Sequence, residues 1–147
     1  MVRDGSFFES EAVHAIDCNL SPKQKKMLSD LIGTDEDKYH GTDFKFYGIR
    51  YDITLKAPEG KDNLHLFKEK FFLRGLCDYV WFGIRFGNAV AKFSEPVVVL
   101  GLDVKSCKEK GFNIDSICDV FCSSIMDIIE KAENLYYDFL DAQEGGA

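Results

Sequence analysis

The chain has 147 residues, of which 46% are hydrophobic and 29% charged, a size and composition typical of one globular domain over residues 1–147. A formal net charge of −7 disfavours nucleic acid and anionic membranes as partners of the whole surface. The N-terminus lacks the basic and apolar segments of a secretory signal, and no apolar run approaches the roughly 20 residues that span a bilayer. Five cysteines at irregular spacing favour reduced thiols. We therefore expect a cytosolic protein with no transmembrane segment.

The first 16 residues are interpreted as a hairpin. The turn is placed at Asp4-Gly5-Ser6, and Phe8, Ala12 and Ile16 are its extended apolar positions.

A helix is predicted from Ser21 to Gly33. Ser21 can cap it, Pro22 takes the first helical position, and Gln24 completes a capping box. Its apolar face is formed by Met27, Leu28, Leu31 and Ile32. The polar and acidic residues 34–40 are expected to form a surface loop.

From Phe44 onward the hydrophobic pattern has the period of strands. Strands are predicted at residues 44–55, 64–73, 79–86, 88–93 and 97–104, with a turn at 58–60. Short connections and no intervening helix favour an antiparallel meander, with a tight hairpin across residues 94–96.

After a lysine-rich loop, Asn113 can cap a final helix that runs to Gln143. Its apolar stripe is Ile117, Val120, Phe121, Ile125, Ile128, Ile129, Ala132, Tyr136, Phe139 and Leu140. Such a helix would be about 45 Å long, more than the roughly 30 Å of a small domain. We therefore expect it to break near Asn134, with residues 135–143 of the C-terminal extension 134–147 folding back over the sheet or covering a partner. The alternative is a straight helix whose end frays in solvent.

No set of catalytic or metal-binding residues emerges from the pattern. Cys118 and Cys122 lie four apart on one helix face, which is half of a metal site, but buried apolar packing is the simpler interpretation. His14, His40 and His65 have no partner at a recognisable spacing. We therefore predict no cofactor, no metal and no enzyme activity.

Three stretches of the chain together resemble the profilin family. Asp4-Gly5-Ser6-Phe7-Phe8 is similar to the family's Asp-Gly-Ser-x-Trp turn, and residues 44–51 are similar to its strand pair with Gly-x-Lys-Tyr. The most specific stretch is 87–102, which resembles the family's hairpin in its Lys92, Ser94, apolar run and Gly101. The family's N-terminal helix has no counterpart in this sequence.

The resemblance implies an α+β fold, a profilin-like antiparallel sheet flanked by helices, with a long C-terminal helix packed on it. It also implies a monomer that binds monomeric actin, regulates actin polymerisation and is associated with the cytoskeleton. Carried over residue by residue, the actin-binding positions are Ile53, Lys56, Arg74, Lys92, Lys110, Gly111 and Asn113. Proline-rich ligands are expected to bind weakly or not at all, because the family's missing N-terminal helix carries two aromatic residues of that groove. The candidate aromatic residues that this chain offers are Phe8, Tyr136 and Tyr137. Phosphoinositide binding is disfavoured by the net charge.

Two other classes of function stay open. One is a profilin-like adaptor of the roadblock or longin type that scaffolds a small GTPase or a motor complex. The other is a small enzyme, disfavoured by the lack of a paired acid and base or a metal set. A pocket holding two perturbed titratable groups would favour the enzyme.

Overall fold

The computed structural model describes the backbone of residues 5–60, 64–70, 79–86 and 96–145, and the side chains of residues 8–38, 41–59, 79–86 and 96–142. Within these ranges helices and strands mix along the chain, as expected for an α+β fold. Their bounds are α1 Gly5–Cys18, α2 Pro22–Lys25, β1 Leu28–Asp30, α3 Asp35–His40, β2 Phe44–Phe46, β3 Ile49–Thr54, a 3-10 turn at Pro58–Gly60, β4 Leu64–Lys70, β5 Val80–Arg85, β6 Val97–Leu102, α4 Val104–Glu109, α5 Ile114–Ser123 and α6 Ile125–Gly145.

The sheet is mixed, with the strand order β1-β2-β3-β6-β5-β4. β6 runs antiparallel to β5 but parallel to β3, so the predicted antiparallel meander is wrong at its centre. All six residues of β6 are buried. A strand that is apolar on both faces is most stable at the centre of a sheet, with strands on both edges and other elements packed on both faces. Because β3 and β5 occupy both edges of β6, the hairpin expected across residues 94–96 does not pair this strand. Residues 88–93 lie outside the described residues.

A tight turn divides the segment predicted as one strand over 44–55. Tyr47 and Gly48 both have positive φ angles, 50° and 79°, the combination that a two-residue hairpin turn of type I′ requires. β2 and β3 therefore pair antiparallel, and the rings of Phe44 and Tyr51 stack with centroids 4.8 Å apart.

Residues 5–16 do not form the hairpin predicted for the first 16 residues, because Gly5–Cys18 is the helix α1. Phe8, Ala12 and Ile16 are all fully buried. They are spaced four apart, which places them on one face of a helix, whereas a strand needs a spacing of two. The spacing of these residues was the better guide.

The helix predicted from Ser21 to Gly33 is reduced to the single turn α2. Its capping box is confirmed, with Ser21 and Gln24 exchanging both hydrogen bonds. Leu28 then enters β1, which pairs with β2, and Met27 is 43% exposed, so the expected apolar helix face does not form. Sheet pairing here overrides local helix propensity. The expected loop at 34–40 contains the short helix α3.

The C-terminal region forms two helices rather than one. Asn113 caps α5 as predicted, accepting a hydrogen bond from the Ser116 amide, but the helix breaks at Ser124 and not near Asn134. α6 continues to Gly145 and buries Phe139, which is 4% exposed. The extension therefore contributes to the core rather than fraying in solvent.

Other parts of the strand prediction are confirmed. β5 and β6 lie within their predicted segments, the turn at 58–60 is present, and β4 occupies residues 64–70 of the predicted 64–73. The lysine-rich loop before Asn113 contains the helix α4. Among the described residues, no helix is both long and apolar enough to cross a membrane.

Candidate functional site

Two buried aspartates face each other across the β2–β3 hairpin. The pairing of Phe44 with Tyr51 places Asp43, just before β2, beside Asp52 on β3. Tyr51 and Ile53 belong to the apolar core, so the alternation of a strand directs Asp52 to the other face of the sheet. Asp43 and Asp52 are 1% and 5% exposed.

Helix α1 adds a third carboxylate to this pair. Glu9, which is half-buried, brings its side chain to the two aspartates, and one carboxylate oxygen from each of the three residues lies within 4.8 Å of the others. The Asp43 side chain is anchored by the backbone of β3, because the Ile53 amide donates to its Oδ2 at 2.7 Å. Helix α1 and the two sides of one hairpin thus build one acidic cluster: Glu9, Asp43 and Asp52.

Burial makes this acidic cluster costly to ionise. Burial first, and then the charges of Asp52 and Glu9, raise the pKa of Asp43 to about 11. This raised pKa favours the protonated form of Asp43, which shares a hydrogen bond with Asp52. A group held so far from its ordinary pKa marks a candidate functional site.

Arg85, at the end of β5, is the cation of the site. It is 1% exposed, and its Nη2 donates to Asp52 Oδ2 at 3.2 Å and to the Gly41 carbonyl oxygen at 2.5 Å. Its other terminal nitrogen, Nη1, is buried and has no hydrogen-bond acceptor among the described residues. The guanidinium therefore leaves donors unused beside the acidic cluster.

The acidic cluster fits a divalent cation by geometry and by charge. Oxygens bound to one such ion at about 2.0–2.4 Å lie no more than about 5 Å apart, as these do. With Asp43 deprotonated, the three carboxylates and Arg85 carry three negative charges and one positive charge among them, and a divalent cation would lower this excess of negative charge. Oxygen ligands of this kind suit Mg²⁺, Mn²⁺ or Ca²⁺.

The sequence prediction missed this cluster. The sequence pattern indicated no set of metal ligands, whereas the structure brings three carboxylates together that the sequence prediction did not name. The available signal was two aspartates nine positions apart on either side of Tyr47-Gly48. Recognising that dipeptide as a hairpin turn would have paired Asp43 with Asp52, whereas the approach of Glu9 from α1 depends on tertiary packing.

The residues predicted to bind actin are only partly brought together. Ile53 is fully buried in the core and cannot contact a partner, so its assignment is wrong. Lys56, Lys110, Gly111 and Asn113 are exposed. Arg74 and Lys92 lie outside the described residues.

The residues predicted for a proline-rich ligand are separated. Phe8 is fully buried, with its ring centroid 5.0 Å from that of Phe121, so it offers no platform to a ligand. Tyr136 and Tyr137 lie together on α6 with ring centroids 5.8 Å apart, and Tyr137 is 46% exposed. The separation arises because Phe8 lies on the core face of a helix instead of in a hairpin.

The cysteine interpretation agrees with the structure. Cys118 is buried and Cys122 half-buried on α5. Among the described residues, the acidic cluster is the one group of three potential metal ligands, and it includes no cysteine or histidine.

No protein-family model, no curated protein and no solved structure matches this chain.

Proposed function

We propose that this chain is a divalent-metal-dependent hydrolase whose cation is held by Glu9, Asp43 and Asp52. The observation that carries the proposal is the convergence of three carboxylate oxygens within 4.8 Å, two of them from buried aspartates. The unused Nη1 of Arg85 beside them is an independent second observation.

The number of ligands favours catalysis over a purely structural role. Calcium sites that stabilise a fold offer six to eight oxygens, whereas Mg²⁺ and Mn²⁺ sites of enzymes use a few carboxylates and leave positions for water and substrate. Three carboxylates leave such positions. A divalent cation bound there would supply an acidified water molecule and polarise a substrate oxygen. Glu9 is half-buried and marks the more accessible side of the cluster.

The energetics of the site point the same way. Without a cation, the burial of Asp43 and the nearby charges of Asp52 and Glu9 raise the pKa of Asp43 far above its ordinary value. Evolution for stability alone would favour an amide or an apolar side chain at position 43. A costly carboxylate is understandable when a ligand compensates it.

Binding of Mn²⁺, measured by calorimetry and by electron paramagnetic resonance at pH 7.5, tests the proposal. The wild-type chain should bind one ion, and Asp52→Asn should weaken binding at least tenfold. Asp30→Asn is the matched control, because Asp30 lies on the neighbouring strand β1 but is exposed. The bound protein should hydrolyse at least one ester in a panel of phosphate and carboxylate esters, and Asp52→Asn should not. No binding at millimolar Mn²⁺, or equal binding by Asp52→Asn, would overturn the proposal.

A second candidate, binding of monomeric actin, is proposed from the profilin resemblance and favoured by a surface at one end of the sheet. Trp81 Nε1 donates to the Lys56 carbonyl at 3.0 Å, and the Asp103 amide donates to the Tyr79 carbonyl at 2.8 Å. The ring of Phe112, 45% exposed, packs on that of Tyr79 with centroids 5.5 Å apart. The loop 110–113 and Lys56 therefore lie near the same end of the sheet.

Exposed lysines around an exposed aromatic ring suit an acidic protein partner. In a pull-down with monomeric actin, Lys110→Glu should weaken capture by the wild-type chain several-fold. Lys131→Glu, at an exposed position of α6, is the control and should change little. If wild type captures no actin, this candidate fails and the hydrolase proposal is unaffected. A small GTPase tested in the same assay addresses the adaptor alternative.

A further inference from the structure

We infer that the substrate of the proposed hydrolase is a small phosphate ester, one of whose non-bridging oxygens accepts hydrogen bonds from Arg85 Nη1. The inference rests on the proposed function, because the phosphate is recognised by the cation and Arg85 together. It assigns Arg85 as a substrate-binding residue rather than as a structural ion-pair partner alone.

The guanidinium of Arg85 has N–H donors for which the described residues offer no acceptor. A guanidinium has five N–H donors in a fixed fork, and two acceptors of the protein share Nη2. Nη1 carries two more N–H groups and meets no acceptor among the described residues, although it is buried. Leaving a buried donor unpaired is unfavourable, and in native structures such a group calls for a ligand or an ordered water.

The guanidinium of Arg85 is held in position by Gly41 and Asp52. Gly41 has a φ of 60°, and a Cβ built on it would lie 2.1 Å from Arg85 Nη2. Any larger residue at position 41 would require the guanidinium to shift. Asp52 holds the same nitrogen from the acidic cluster. The guanidinium that carries Nη1 is therefore held next to the cluster by the contact of Nη2 with Asp52.

A phosphate group would bind both the cation and the guanidinium of Arg85. Because Asp52 contacts Arg85 and belongs to the acidic cluster, an anion on Nη1 would lie next to the bound cation. A tetrahedral phosphate can offer one oxygen to the cation and another to the guanidinium, the pairing that Mg²⁺ and arginine favour. Hydrolysis would form a P–O bond to the water oxygen and break the P–O bond to the leaving alcohol, and the proton lost by the water would be taken up by the alcohol oxygen.

The burial of Nη1 limits the size of the substrate, and the charge of the acidic cluster couples phosphate binding to cation binding. Nη1 is buried, so the group that reaches it must be small, and a net charge of −7 disfavours a long polyanion. Three carboxylates repel phosphate unless a cation neutralises them. Phosphate and the cation should therefore strengthen each other's binding by the same factor.

The test uses inorganic phosphate as the probe and Mn²⁺ as the metal. Paramagnetic broadening of the ³¹P resonance reports phosphate bound to protein-held Mn²⁺. The wild-type chain should bind phosphate at least tenfold more tightly with Mn²⁺ than with no divalent ion. Arg85→Lys should keep Mn²⁺ affinity within about threefold and lose at least tenfold in phosphate affinity. Arg50→Lys is the control, since Arg50 on β3 pairs with Glu36.

The outcomes separate the two proposals. Mn²⁺ binding without phosphate binding, or equal phosphate affinity in Arg85→Lys, overturns this inference and leaves the metal site standing. No Mn²⁺ binding overturns both. If Arg85→Lys does not fold, the metal dependence of phosphate binding by the wild-type chain decides: binding that does not depend on Mn²⁺ overturns the inference.

Discussion

Two arginine–carboxylate pairs on one sheet differ in how completely they are satisfied. Arg50 on β3 pairs with Glu36 of α3, and their side chains are 16% and 36% exposed. Arg85 on β5 pairs with Asp52 on β3, and theirs are 2% and 8% exposed. The first pair is reached by water. The second is enclosed, with two further carboxylates beside it and a guanidinium nitrogen that has no acceptor among the described residues.

The Arg50 pair is explained by stability alone, whereas the Arg85 pair suggests a function. Water screens the Arg50 pair, so its contribution to folding is small. The Arg85 pair lies where desolvation is expensive, with the carboxylates of Asp43 and Glu9 nearby and with Nη1 meeting no acceptor among the described residues. Such a buried cluster of charges is the basis of the ligand binding proposed above.

The largest expected effect comes from removing the two arginines in turn. Arg85→Met should destabilise the fold by about 3–5 kcal/mol, because Asp52 would remain buried without its cation. Arg50→Met should cost about 1 kcal/mol or less, since Glu36 becomes more hydrated. Urea unfolding of both variants measures this. Equal losses would show that burial does not distinguish the pairs.

A smaller effect, of opposite sign, is expected from Asp43→Asn. The amide can still accept from the Ile53 backbone and can donate to Asp52 without having to hold a proton. Because the folded-state pKa of Asp43 is raised from 3.8 to about 11, wild-type stability from this group is full below about pH 4 and falls as pH rises toward 11. The variant should therefore be more stable by at least about 1 kcal/mol at pH 8, by a margin that shrinks to almost nothing near pH 4.

Unfolding midpoints of Asp43→Asn and wild type at pH 4.5, 6 and 8 check this sign. The same variant should lose Mn²⁺ binding, so that stability rises while function falls. A variant that is destabilised equally at every pH would instead make Asp43 a structural hydrogen-bonding residue.

The smallest effect concerns the glycine that seats Arg85. Gly41→Ala adds a steric clash with Nη2 to the strain of a positive φ, and should cost about 2 kcal/mol. Gly48→Ala, at a φ of 79° with nothing within 4 Å of the added Cβ, should cost about 1 kcal/mol from strain alone. Thermal unfolding compares them. A Gly48→Ala loss as large as that of Gly41→Ala would mean that the clash with Arg85 relaxes freely.

Parts of the fold could be predicted because their signals are local. The capping box at Ser21, the cap at Asn113 and the apolar strand Val97–Leu102 each depend on side chains a few positions apart. Phe8, Ala12 and Ile16 carried an equally local helical spacing that the hairpin interpretation overlooked. The resemblance-based site depended on alignment to a pattern, and the burial of Ile53 and Phe8 removes two of its members.

By itself the sequence determined the α+β class, most strand positions and the caps, since hydrophobic period and side chain to backbone hydrogen bonds act within a few residues. Tertiary structure alone decided that β6 enters between β3 and β5, because the choice of strand partner compares contacts far apart in the chain. It likewise decided the candidate site. Glu9, Asp43, Asp52 and Arg85 are ordinary charged residues in the sequence, and only packing brings them together, buries them and so perturbs their charge.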